Sequence, residues 1–208
     1  DIIFIGHINL APVAILLKFF NPKVKLFIIG HGIEIWDKQI LLKKILLKIS
    51  NKILAVSAFT KRRITANNGI NEDKIIVFPN TLDPYFNIPK TLGKPDYLIK
   101  RYGINEKTKV ILTVTRINKN EAYKGYDKVL EALAEIISLL PDTKYILAGK
   151  YDVYEEQRLK EKVKRLGLEK YFILTGFIKE EELIDHYLLA DVFILPWKKE
   201  GFGIVFIE

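Results

Sequence analysis

Two glutamates, Glu200 and Glu208, stand in the segment EGFGIVFIE with Gly201 and Gly203 between them. Carboxylates accept hydrogen bonds and suit sugar hydroxyls, glycines let a backbone come close to a ligand, and the N–H groups opening a helix favour a phosphate. The segment reads either as a nest for a phosphorylated sugar or as a helix carrying solvated acids. It is no dinucleotide fingerprint, because Phe206 occupies the place of the third glycine. A second concentration of chemistry lies in TVTRINKNEAYKG, where Arg116 and Lys124 would hold a diphosphate and stabilise its charge as it departs. The alternative there is ordinary surface charge. Of the three histidines, His31 lies between Gly30 and Gly32, which favours an exposed turn over a core position. His7, in IFIGHINLAP, either touches an acceptor or is structural, and His186, inside ELIDHYLLA, reads as a helix residue. Glu34 and Trp36 stand close to a strand end and either line an acceptor pocket or edge the core.

The elements that must position these residues follow from hydrophobic periodicity. DIIFIG, KVKLFIIG, KILAVS and KIIVFPN are short apolar runs separated by helix-length segments, and Gly69 marks a helix end. This alternation predicts parallel β-α-β units. From Pro79 to about Thr108 the pattern breaks in a proline-rich stretch that reads as a linker, with DYLIKRYG a short helix inside it. Alternation then resumes through KVILTVTR, KYILAG, YFILTGF and DVFILP. The expected organisation is a first α/β domain over 1–83, a linker over 84–107 and a second α/β domain over 108–208. Ligands of open α/β sheets bind at the carboxyl ends of strands, and the loops carrying His31, Arg116 and Glu200 fall there.

The 208 residues carry a net charge of +8, and no apolar run approaches the ~18 residues that span a bilayer. Residues 1–90 hold 13 Lys/Arg against 6 Asp/Glu, whereas residues 91–208 hold 20 against 19, so the first half is the basic one. KQILLKKILLKIS places Leu42, Ile45 and Ile49 on one helical face and Lys43, Lys44 and Lys48 on the other, with Ile40 and Leu47 among the lysines. It reads as a packing helix or as a basic amphipathic helix on anionic membrane. A nucleic-acid reader is disfavoured, because no aromatic stacking pattern interleaves the basic residues. The lack of cysteine excludes disulfides and thiolate metal sites and suits a reducing cytosol. The chain opens on Asp1 and contains no methionine, so a fragment or processed piece is expected.

EGFGIVFIE resembles the Glu-x7-Glu signature of retaining GT-B glycosyltransferases of family 4, the glycosyl transferases group 1. TVTRINKNEAYKGYDKVLEAL, YILAGK, FILTGFIKEEELIDHYLLADVFILPW, AVSAFTKRRI and VFPNTLDPYF are similar to further blocks of that family, in the same order. Departures are Thr115 for a frequent glycine, Thr81 within the usual Asn-Gly, and Trp197 where serine commonly follows the proline.

The resemblance implies two Rossmann-like domains, each a parallel sheet flanked by helices, incomplete at both ends in this chain, which need not be active alone. It places Glu200 on hydroxyls of the donor sugar, the backbone of Gly201, Phe202, Gly203 and Ile204 on the sugar and diphosphate, and Glu208 on the ribose. Arg116 and Lys124 would neutralise the leaving diphosphate and Ile178 would lie by the base. His31 would face the reacting sugar, with His7 and Glu34 on the acceptor side. The implied donor is a UDP- or GDP-sugar and the acceptor a glycan or lipid-linked molecule. No cofactor or metal is implied, since no Asp-x-Asp occurs. The implied location is cytoplasmic, peripheral at the inner face of the membrane. Competing readings are a non-catalytic nucleotide-sugar or glycan-binding module and a membrane-surface scaffold.

Overall fold

The computed structural model describes residues 1–86 and 88–208; Asn87, inside the expected linker, lies outside the described residues. The chain forms two compact units, Asp1–Pro84 with Glu200–Glu208, and Tyr85–Lys199.

The first unit is built on β1 (Ile2–Ile5), β2 (Lys25–Gly30), β3 (Lys52–Ala55) and β4 (Ile75–Val77), all parallel and adjacent in chain order. Between them run α1 (Ala11–Phe20), α2 (Ile33–Trp36), α3 (Leu41–Ile49) and α4 (Ala58–Asn68). Ser57 caps α4 by accepting from the Thr60 N–H at 3.1 Å, and Gly69 ends it in the left-handed conformation at φ 62°. Leu26 and Ile28 of β2 and Ile53 of β3 are fully buried with Leu46 and Leu47 of α3.

The expected face of α3 is corrected by that core. Leu46 and Leu47 are its buried pair, Leu42 is exposed, and Ile45 and Ile49 are half-buried. A crossover helix that meets both the sheet and α1 buries two adjacent rows of side chains, and a single-stripe wheel misses one of them.

The second unit opens with α5 (Asp96–Tyr102), inside the stretch read as a linker. Leu98 of α5 is fully buried among core residues, so helical spacing outweighs the neighbouring prolines. There follow β5 (Lys109–Val114), α6 (Tyr126–Leu139), β6 (Thr143–Ala148), α7 (Val153–Arg165), β7 (Phe172–Gly176), α8 (Glu180–Leu189) and β8 (Val192–Phe193). The strands are parallel in the order β7-β6-β5-β8. Both faces carry core, one around Tyr145, Leu147 and Leu159, the other around Leu98, Leu112 and Ile146. The expected pair of Rossmann-like sheets is borne out. Because β8 returns to the far side of β5, the order reverses there, and the carboxyl ends of β5 and β8 flank a topological switch point.

Candidate functional site

In the second unit, the loop leaving β5 carries both expected cations. Arg116 is exposed and pairs with Glu121 at 2.6 Å. Glu121 is buried, and its Oε2 has no partner among the described residues. Arg116, Ile117 and Asn118 line a cavity of about 190 Å³ with Lys150, Tyr151 and Asp152 from the loop after β6. A bridge between Ile117 and Tyr151 holds the two loops in parallel.

Lys124 lies at the end of a kinked 3₁₀ segment, Lys119–Lys124. This segment docks on the loop after β8, where Lys198 N–H donates to Tyr123 O at 3.2 Å. Gly125, at φ 83°, approaches so closely that a Cβ there would overlap the Pro196 carbonyl. The Lys124 ammonium lies 5.1 Å from the ring centre of Trp197 and 5.6 Å from that of Tyr123.

Two residues further on, α6 is anchored to α7. Fully buried Tyr126 donates its hydroxyl to Glu155 at 3.0 Å, and burial pushes its phenol up. Arg158 grips Glu155 and reaches Asp127 through two bonds of 3.0 and 2.9 Å. Burial raises the Asp127 carboxyl, but hydrogen bonds from Arg158 and Lys162 outweigh it and hold the group below its ordinary value. Ile178, after β7, packs its side chain against the core around Leu98. His186 is buried in α8, and its Nδ1–H donates to Glu182 O at 2.6 Å. Its Nε2 then accepts from Tyr102 at 2.7 Å.

In the first unit, His7, His31 and Glu34 gather at the carboxyl ends of β1 and β2. His31 is exposed, and its Nε2 lies 2.9 Å from Gly6 O, which fixes the proton on that nitrogen. Glu34 turns back to accept from the N–H groups of His31 at 2.7 Å and Gly32 at 3.1 Å. His7 accepts from Asn9 N–H through Nδ1 at 3.1 Å and so caps the turn after β1.

Residues 200–208 belong to this first unit. A Cβ on Gly201 would overlap the His31 carbonyl, so only glycine fits that approach. Glu200 accepts from the N–H groups of Gly201 at 3.0 Å and Phe202 at 3.4 Å. The α-helix expected after Gly203 is not formed. Ile204–Phe206 makes one 3₁₀ turn, and Glu208 N–H reaches Ile204 O at 3.3 Å as a single α-type bond. Ile204 and Glu208 are exposed, Phe202 is half-buried, and Gly201 and Gly203 are buried.

Sequence reasoning did not single out Lys150, Tyr151, Asp152 or Glu121, and it noted Trp197 only as a departure after the proline. The first three follow a strand end after a glycine, the signal that drew notice to His31. Among the described residues, no group of three His, Asp or Glu is placed to hold a metal ion.

Residues 96–208 match the family model for glycosyl transferases group 1. Mannosylfructose-phosphate synthase of Agrobacterium fabrum is 30% identical over 67% of this chain and 31% of its own length. The GDP-mannose-dependent alpha-(1-6)-phosphatidylinositol monomannoside mannosyltransferase of Mycolicibacterium smegmatis is 27% identical over 86% of this chain and 47% of its own. The chain thus spans less than half of either relative. Among solved structures, Anabaena HepE in complex with UDP superposes with a TM-score of 0.77 at 18% identity, over 99% of this chain and 56% of that one. Sucrose-phosphate synthase from Thermosynechococcus elongatus gives 0.72 at 18% identity, over 98% and 52%.

Proposed function

The chain belongs to the glycosyl transferases group 1 family, and from that premise we infer that it serves a glycosyltransferase moving a sugar from a nucleotide-sugar donor to an acceptor. The observation that carries this reading is the pair of cations on the loop leaving β5, at a switch point, with Arg116 lining a cavity. Arg116 and Lys124 hold the departing diphosphate there, while Ile178 lies by the base. Glu200 addresses hydroxyls of the donor sugar, Gly201 to Ile204 present backbone N–H groups, and Glu208 takes the ribose. His31 faces the reacting sugar, with His7 and Glu34 on the acceptor side. Names of relatives and neighbours that include GDP-mannose and UDP support a UDP- or GDP-sugar as donor.

Transfer proceeds with retention of configuration. The acceptor hydroxyl attacks from the face that the diphosphate leaves, a donor phosphate oxygen takes the hydroxyl proton, and the two cations carry the charge released. This route needs no metal and no covalent intermediate.

Calorimetric titration with UDP and with GDP tests the reading. One of them binds, and Arg116→Ala and Lys124→Ala each weaken it roughly 10-fold or more, as expected for charge-assisted hydrogen bonds. Equal binding by both variants would overturn the assignment. Binding of a nucleotide sugar without turnover would favour the non-catalytic module.

A lipid-linked acceptor, and a cytoplasmic place at the inner membrane face, form a second reading with its own observation. The basic first half exposes Phe19 at 75%, Phe20 at 78% and Leu41 at 75% on α1 and α3, and Lys48 is exposed on α3. No helix among the described residues is long and apolar enough to cross a membrane. Co-sedimentation with anionic liposomes at low salt is the test, and failure to bind would end it.

A further inference from the structure

The loops after β5 and β8 meet in a way the donor-site reading does not use. Backbone contact fixes them to each other, through the bond from Lys198 to Tyr123 and the close approach of Gly125 to Pro196. On that fixed base the Lys124 ammonium lies within cation–π range of two rings, Trp197 and Tyr123. Lysine carries a compact charge on a flexible four-carbon stem, so its position is set by whatever the stem and ammonium rest against. Trp197 is half-buried and belongs to the neighbouring strand's loop, so it restrains Lys124 from outside the lysine's own segment.

We propose that Trp197 is a positioning residue for the donor diphosphate, its indole face holding the Lys124 ammonium at the switch point between β5 and β8. The inference rests on the reading that Lys124 binds the diphosphate. In this role Trp197 acts through Lys124 rather than on the substrate. It narrows the conformations of Lys124 before the anion arrives, and a preorganised cation binds more tightly than a mobile one.

The test is a double-mutant cycle read by calorimetric titration of UDP and GDP into the full chain. Trp197→Leu keeps an apolar side chain without a π face, and Trp197→Phe keeps a face. Trp197→Leu is expected to weaken nucleotide binding roughly 3- to 10-fold, while Trp197→Phe stays within about twofold of the parent. In a Lys124→Met background, Trp197→Leu is expected to have no further effect. An equal loss in both backgrounds would mean that the indole supports the loop rather than the ammonium, and the proposal falls. Unchanged binding by Trp197→Leu in the parent overturns it as well. If Lys124→Met binds as tightly as the parent, or neither nucleotide binds, the reading of Lys124 has failed, a result distinct from either. Should Trp197→Leu not fold, the parent keeps the question open to measurement. The Lys124 side-chain methylene protons should show an upfield ring-current shift that Trp197→Phe reduces, and its absence counts against the proposal.

Discussion

Replacing Gly125 by alanine tests whether the docking of the β5 loop on the β8 loop holds the switch-point end of the second unit together. Two penalties add. A non-glycine residue at φ 83° pays about 1–2 kcal/mol for the left-handed backbone. The new Cβ would also lie 3.0 Å from both the carbonyl carbon and Cγ of Pro196, and overlap its carbonyl oxygen. Those neighbours are backbone and a ring, so relief requires the loops to part. Parting them breaks the bond from Lys198 to Tyr123, about 0.5–1.5 kcal/mol, and the Lys124–Trp197 contact, about 0.5–1 kcal/mol. The expected loss is about 2–4 kcal/mol, a large share of a domain's ~5–15 kcal/mol. Gly167→Ala is the control, because Gly167 has φ 67° and nothing within 4 Å of its virtual Cβ. It carries the backbone penalty without the clash. Urea unfolding measures both variants, and titration with UDP and GDP measures the site. If Gly125→Ala matches Gly167→Ala in stability and the parent in affinity, the loops are not mechanically coupled.

Two further outcomes follow from buried polar groups of the second unit. Burial holds His186 below the ordinary histidine value, against the pull of Glu182 and Asp185 and with the help of Arg101. The unfolded chain therefore binds the proton more readily. Stability is complete above the unfolded value near ~6.5 and falls as pH drops below it, by up to about 1.4 kcal/mol per pH unit. Thermal midpoints between pH 7.5 and 5.5 should fall for the parent and flatten in His186→Gln; parallel curves would refute it. Glu155→Ala should destabilise by about 3–5 kcal/mol, since it strands Tyr126 and part of the Arg158 charge, against about 1 kcal/mol for Tyr126→Phe. Equal losses in urea unfolding would show that Arg158 does not depend on Glu155.

The strands and most helices were legible because each carries its own period: KLFIIG and TKYILA are apolar runs, and Ser57 and Gly69 punctuate α4 by local chemistry. What local pattern could not supply was the identity of the neighbours. DYLIKRY has helical spacing, yet only the packing of Leu98 shows that it belongs to the second unit rather than to a linker. The buried rows of α3 depended on α1 lying beside it. Arg116 and Lys124 were legible as cations at a strand end. Their restraints, Glu121 and Trp197, were not, because one lies within an irregular loop and the other is 73 residues away in sequence from Lys124.

The glutamates show the deeper reason that residue types underdetermine a site. Sequence reasoning offered the N–H groups of Gly201 and Phe202 to a ligand and Glu200 to a sugar, as separate contributions. The structure joins them: Glu200 accepts from those N–H groups, as Glu34 does from His31 and Gly32. A diphosphate that uses the N–H groups must then exchange with a carboxylate, one anion for another. Glu200→Gln weakens the acceptor and removes a charge that repels the incoming anion. It should therefore tighten binding of UDP or GDP alone by a few-fold, about 1 kcal/mol or less for one screened charge. If Glu200 also addresses a sugar hydroxyl, as proposed, the same change should reduce turnover of the nucleotide sugar. Opposite signs for nucleotide affinity and sugar transfer are the signature of that exchange. Weaker binding of the free nucleotide by Glu200→Gln would show instead that the carboxylate holds the loop in its binding shape, and the exchange would be wrong.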